Sequence, residues 1–224
     1  MNRIARTEAF LKAKLKENPD DRIHPDRMAY RLEHSIRVAN IGRQIARAEG
    51  IAEEALVIAC LLHDVSYAEP LDTEQAWREH GRRSAAIARP FLETLALPEP
   101  LIEEMCYGIA IHVDDMADFA GERTPLAVSV GDADNLDRFD AYRIYETLEN
   151  MRFSERPLEE KLSHVERMEE KLKRLSALLM ETPTATRLWA ERISFQRAFY
   201  RRLGEQLRIG VCCGIGEREW EEIE

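Results

Sequence analysis

Residues 55–64 read ALVIACLLHD. Eight apolar residues, Ala55 to Leu62, run into a histidine and an aspartate, and Leu56, Ala59, Cys60 and His63 fall three, one and three residues apart, on one helix face. The next residues, Val-Ser-Tyr-Ala-Glu-Pro, stop the helix at the dipeptide His63–Asp64. Neighbouring residues inside a helix point about 100° apart and do not normally face one centre. A relaxed backbone at a helix end lets both side chains converge.

Working outward, the same period predicts helices over 4–17, 27–48, 52–63, 73–95, 100–112, 125–150, 158–179 and 184–207, with no sustained strand alternation. Pro25, Gly50, Pro70, Pro98 with Pro100, Gly121 with Pro125, Pro157 and Pro183 mark the breaks. Only ten Gly and nine Pro stand among 224 residues rich in Ala, Leu, Glu and Arg, so the fold class is read as all-α. The last two spans carry Leu158, Leu162, Val165, Met168, Leu172, Leu175 and Leu179 at near-heptad spacing, then Leu188, Ile193, Phe195, Phe199 and Leu203. That pattern predicts a C-terminal helical hairpin packing on the rest of the chain or on a second copy, as a homo-oligomer. A core over 1–155 and a hairpin with an acidic tail, GEREWEEIE, over 156–224 are expected.

The formal net charge of −10 argues against a nucleic-acid polymer or an anionic membrane as the main partner. The longest apolar run falls far short of a membrane span. The N-terminus lacks the apolar stretch of a signal peptide, so the cytoplasm is the expected location. Cys60 and Cys106 sit in apolar helices and are read as reduced structural thiols. Cys212 and Cys213 adjoin each other with no assigned role, and no CxxC exists to build a zinc ribbon.

The histidines carry the chemistry. His34 falls in the stripe His34, Val38, Ile41, Ile45, Ala48; His80 in Trp77, His80, Ser84, Ile87, Phe91; His112 ends Leu101, Met105, Ile109, His112. With His63, and with Asp132 between Val128 and Leu136, five helices each aim one ligand-type side chain inward. A buried imidazole or carboxylate must be hydrogen-bonded or coordinated. One shared ion solves all five burial problems together; a buried hydrogen-bond network is the alternative. His24 and His164 lack the inward pattern and are expected on the surface.

The order His34, His63–Asp64, Asp132, set in HSIRVANIGRQIARAEG, LLHD and GDADNLDRFDAY, resembles the HD superfamily of metal-dependent phosphohydrolases over roughly residues 25–145. The resemblance implies that these four residues bind a divalent metal, with Asp64 catalytic, and that the substrate is a small phosphorylated molecule, a nucleotide foremost, as in small stand-alone bacterial relatives. It also implies that His80 and His112 either hold a second ion, with Asp64 bridging, or contact the substrate phosphate in a one-metal site. Mn²⁺, Fe²⁺ and Ni²⁺ suit such a mixed imidazole–carboxylate set.

Arg37, Arg82, Arg83 and Arg138 are candidate phosphate grips, with solvated helix faces as the plainer reading. Glu33, Asp114, Asp115, Asp134 and Asp137 are candidate supports of the histidines or a general acid, with Asp137 preferred. No GxxxxGK, GxGxxG, HExxH or GxSxG motif occurs. Two rivals stand beside the phosphohydrolase: a di-iron oxygenase using the same six residues, and a nucleotide-binding module that signals through the hairpin.

Overall fold

The computed structural model describes residues 2–18 and 25–209, the first two of the latter stretch as backbone only. His24, Cys212, Cys213 and Trp220 lie outside the described residues. Ten α-helices follow one another: α1 Arg3–Leu15, α2 Pro25–Glu49, α3 Glu53–Leu62, α4 Glu74–Arg78, α5 His80–Glu93, α6 Glu99–Ile111, α7 Pro125–Arg138, α8 Ala141–Asn150, α9 Leu158–Leu175 and α10 Pro183–Ile209. Short 3-10 turns stand at Val65–Ala68 and Phe153–Glu155, and no strand occurs among the described residues. The all-α reading holds. None of the described helices is long and apolar enough to cross a membrane.

Two predicted helices are each split. The span 73–95 breaks between α4 and α5 at Glu79, whose backbone leaves the helical region (φ −91°, ψ 0°). The span 125–150 breaks at Asp140, which is extended (φ −97°, ψ −177°) and whose carboxylate accepts a hydrogen bond from the Ala141 N–H, opening α8. A periodicity reading passes over both interruptions, because each is a change of backbone conformation that leaves the apolar pattern unbroken; only Asp140 adds a side-chain cap.

The described residues form two compact units, one within 2–138 and 179–189, the other within 139–178 and 190–209. The boundary thus falls at 138/139 rather than 155/156, and the first turns of α10 belong with the first unit. Within that unit α3 is the central rod. All eight residues from Ala55 to Leu62 are buried, and α2, α1, α6 and α7 pack around them. Burying such side chains yields on the order of 1.5–3 kcal/mol for each large aliphatic residue. Gly50 ends α2 at φ +70°, the left-handed position that closes a helix without a Cβ penalty.

In the second unit α9 and α10 pack around Val165, Leu172, Ile193 and Tyr200. Phe195, expected on the buried stripe, is 51 % exposed, and Gln196 takes the inward position. His164, expected on the surface, is buried next to Val165, its ring centroid 5.7 Å from those of both Phe153 and Tyr200. The buried arc of α9 is one residue wider than its leucine seam, because aromatic rings from distant parts of the chain cover it.

Burial, followed by the charge of Arg167, depresses the His164 pKa below its ordinary 6.5. The unfolded chain therefore binds the proton more readily than the fold. Stability from this residue is full above about pH 6.5 and is lost as the pH falls through the lower folded pKa. Thermal melts between pH 7.5 and 5.5 are expected to fall less steeply for His164→Phe than for the wild type. Identical slopes would place the ring in solvent.

Candidate metal centre

The end of α3 builds the centre. His63 still has helical backbone (φ −55°, ψ −36°), whereas Asp64 has left it (φ −107°, ψ 17°), and that change turns two adjacent side chains toward one space. The following 3-10 turn is tied to α5: the Ser66 hydroxyl donates to the His80 carbonyl at 3.0 Å, and the Ser84 hydroxyl donates to Ser66 Oγ at 2.9 Å. This fixes His80 opposite Asp64. On α5, Gly81 lets the helix start lie against the end of α6. A Cβ there would stand 2.6 Å from the Ala110 carbonyl oxygen and 3.1 Å from His112 Nδ1.

Four imidazoles converge. His34, His63 and His80 are buried, and the His112 side chain is 1 % exposed. Each ring has its Nδ1 engaged: His63 with the Cys60 carbonyl at 2.7 Å, His80 with the Trp77 carbonyl at 2.5 Å, and His112 with the Ile109 carbonyl at 2.7 Å. A carbonyl oxygen can only accept, so in these three rings Nδ1 carries the hydrogen and the neutral ring turns a bare Nε2 lone pair inward. In His34 it is the Asp137 carboxylate that holds Nδ1, at 2.7 Å. A ring nitrogen fixed in this way is the usual support of a metal-binding histidine.

Two carboxylates face the imidazoles. Asp64 Oδ2 lies 3.6 Å from Nε2 of both His34 and His63, while its Oδ1 lies 3.1 Å from His80 Nε2 and 3.7 Å from His112 Nε2. Asp134 Oδ1 lies 3.2 Å from His34 Nε2 and 3.7 Å from His63 Nε2. The donor atoms fall into three overlapping sets: His34, His63 and Asp64; His63, His112 and Asp134; Asp64, His80 and His112.

The arrangement fits a cation. His34 and His63 bring their Nε2 atoms to 3.3 Å, and His112 Nε2 is buried with no hydrogen-bond partner. Facing lone pairs repel unless a proton or a metal lies between them. Burial disfavours a charged His34, but hydrogen bonds to Asp134 and Asp137 and the charge of Asp64 outweigh it and raise its pKa to about 9. Burial likewise opposes ionised Asp64, yet the surrounding imidazoles, His63 foremost, and the charge of Arg31 hold its pKa well below the usual carboxylate range. The imidazoles hold Asp134 down in the same way. The centre attracts positive charge and hydrogen-bonds around it.

Asp132, expected as the fourth ligand, stands outside this cluster. Its buried carboxylate accepts hydrogen bonds from the Glu181 and Thr182 N–H groups at 3.1 Å each and from the Thr182 hydroxyl at 3.2 Å. Its place is taken by Asp134. The spacing Val128, Asp132, Leu136 favours Asp132, but α7 is buried on nearly its whole circumference, with Val130, Asp132, Ala133, Asp134, Leu136 and Asp137 all inside, so that stripe does not single out the acid that meets the histidines. Residues 132 and 134 point about 200° apart on a helix, and only the packing partners decide which one meets the histidines.

The remaining candidates separate cleanly. Asp137 accepts from His34 and, through both oxygens, from Arg37 at 2.7 and 3.1 Å, so Arg37 braces the support of His34. Arg82 donates to both oxygens of Asp114 at 2.9 Å, Arg83 pairs with Glu69, and Asp115 pairs with Arg123. Glu33 is exposed. Arg138 lies 3.6 Å from Asp134 and borders a cavity of about 300 Å³ that also touches His80, His112 and Asp134. Arg31 was passed over in the sequence. Its guanidinium lies 3.6 Å above the Tyr67 ring and 3.2 Å from Asp64 Oδ2. The available signal was its spacing of three before His34, which puts both on one face of α2.

A helical protein whose first unit centres on four imidazoles and two carboxylates belongs to a narrow class. Residues 31–139 match the HD domain, and the chain is an HD-domain protein. It is similar in structure to a predicted HD superfamily hydrolase from an uncultured Thermotogales bacterium, known from a crystal structure, with 21 % identity and a TM-score of 0.59 over 88 % of this chain and 91 % of that one. At that identity the likeness is one of fold. Comparison with curated proteins gave no match.

Proposed function

We propose that the chain is a metal-dependent phosphohydrolase that cleaves a nucleotide or another small phosphate ester or anhydride with an activated water. The observation that carries this reading is the set of four inward Nε2 atoms, each on a ring whose Nδ1 is engaged, around the carboxylates of Asp64 and Asp134. His34, His63 and Asp64 would hold one divalent ion, with Asp134 beside them, and Asp64, His80 and His112 a second. Asp64 would serve both, since its two oxygens face different histidines. Mn²⁺, Fe²⁺ and Ni²⁺ match the donor set.

Such an ion supplies an acidified water near neutral pH and draws charge from phosphoryl oxygens. The chain's own residues do the rest. Asp64, held ionised, accepts a hydrogen bond that orients the attacking water. Arg31, laid on Tyr67 beside Asp64, would donate to two phosphoryl oxygens, the bidentate contact that suits a guanidinium. Asp137 and three backbone carbonyls keep the imidazoles aimed.

The test combines turnover with metal analysis. Nucleoside mono-, di- and triphosphates, dinucleotides and sugar phosphates are assayed with each metal, and phosphate release that a chelator abolishes is expected from at least one. Wild-type protein is expected to carry two equivalents of metal, and His80→Ala and His112→Ala one each. A single equivalent in all three proteins removes the second ion. Iron-loaded protein that consumes O₂ and releases no phosphate overturns the hydrolase reading.

A further inference from the structure

We propose that Trp77 is a stacking platform that selects phosphate monoesters carrying a flat aromatic ring, nucleoside monophosphates foremost. The proposal rests on the hydrolase reading above and names the substrate class of that site. The cavity of about 300 Å³ has His80, His112 and Asp134 at its inner side and Trp77, Arg78 and Arg138 around it. Trp77 is 47 % exposed, although it lies beside a buried centre that could have covered it. A large aromatic surface left in water beside such a cavity gains its burial only when a ligand supplies an apolar or π face.

The backbone that carries the indole is held at a set offset from the centre. Thr73 caps α4 by accepting the Ala76 N–H at 3.0 Å, and the Trp77 carbonyl accepts from His80 Nδ1 at 2.5 Å. The indole centroid lies 6.0 Å from that of His80, whose other nitrogen faces Asp64. A phosphate reacting at Asp64 therefore leaves its organic group beside Trp77. Charge at the mouth suits the anionic end. Asp114 is neutralised by Arg82. Arg78 is tied to Glu74 in a pair exposed on both sides, 66 % and 78 %, the kind of contact that is easily exchanged for a phosphate. The volume is at the lower end for ligand cavities, roughly 300–1,000 Å³, which favours one base and one phosphate over a triphosphate or a dinucleotide.

Adenosine 5′-monophosphate and ribose 5-phosphate share the sugar and the phosphate and differ only in the base. The ratio of their kcat/KM values is measured for wild type, Trp77→Phe and Trp77→Ala, with far-UV circular dichroism to establish folding. Wild type is expected to favour the nucleotide about tenfold or more, the scale of base–aromatic stacking. Trp77→Phe is expected to keep most of that ratio, and Trp77→Ala to bring it near one. A ratio that does not change in Trp77→Ala, even if both rates fall, overturns the proposal.

A second readout does not depend on turnover. Adenosine monophosphate is expected to quench the fluorescence of wild-type protein but not the emission that remains in Trp77→Phe. Equal quenching in both, or none in wild type, overturns the stacking role. If neither substrate releases phosphate while Trp77 is still quenched, the assignment of monoesters as the substrate is overturned, and the hydrolase reading falls with it only when the wider panel of phosphates also gives no release.

Discussion

Asp64→Ala is expected to lose its metal and its turnover together, with activity falling on the order of a thousandfold or more, the scale of removing a pre-organised charge-stabilising group. The residue is 4 % exposed and its two oxygens face all four imidazoles and Arg31. Without it, Arg31 is left facing four rings and the two halves of the centre share no anion. The core is elsewhere, in the packing of α3 against α1, α2, α6 and α7, so helix content should persist. Metal analysis and circular dichroism on the same sample check both statements. A variant that keeps its metal and near wild-type turnover removes Asp64 from the chemistry.

The second large effect separates two aspartates that stand two residues apart. Asp134→Ala is expected to lose bound metal and activity nearly as completely as Asp64→Ala, since its carboxylate lies 3.2 Å from His34 Nε2. Asp132→Ala should keep its metal and instead lose stability, on the order of 1–3 kcal/mol for buried donors left unpaired at Glu181 and Thr182. Metal content of the two proteins, with their chemical denaturation midpoints, gives the answer. The reverse pattern would return the ligand role to Asp132.

The contrast between those residues shows where reading a sequence stops. His34, His63, His80 and His112 were legible because each falls on or ends an apolar stripe, and a polar ligand-type residue in such a stripe must find a partner inside. His63–Asp64 was the clearest, because the apolar run before it and the Tyr-Ala-Glu-Pro after it set the helix end that lets both side chains converge. The sequence marks Asp134 only as a candidate support of the histidines, while the spacing Val128, Asp132, Leu136 favours Asp132. A helix buried all round has no single stripe, so that spacing could not tell which of its inward acids meets the histidines.

What the sequence determined by itself is therefore local: an all-α chain, the places where most of its helices stop, and the histidines that turn inward. Tertiary structure alone decided which groups meet across helices. It set Asp137 against His34 Nδ1, laid Arg31 on Tyr67 above Asp64, moved Asp132 to the start of α10, and buried His164 between Phe153 and Tyr200. The physical reason is range. Helical period and capping act over three or four residues, whereas each of these contacts joins segments that only the packing of the fold brings within hydrogen-bonding or van der Waals distance.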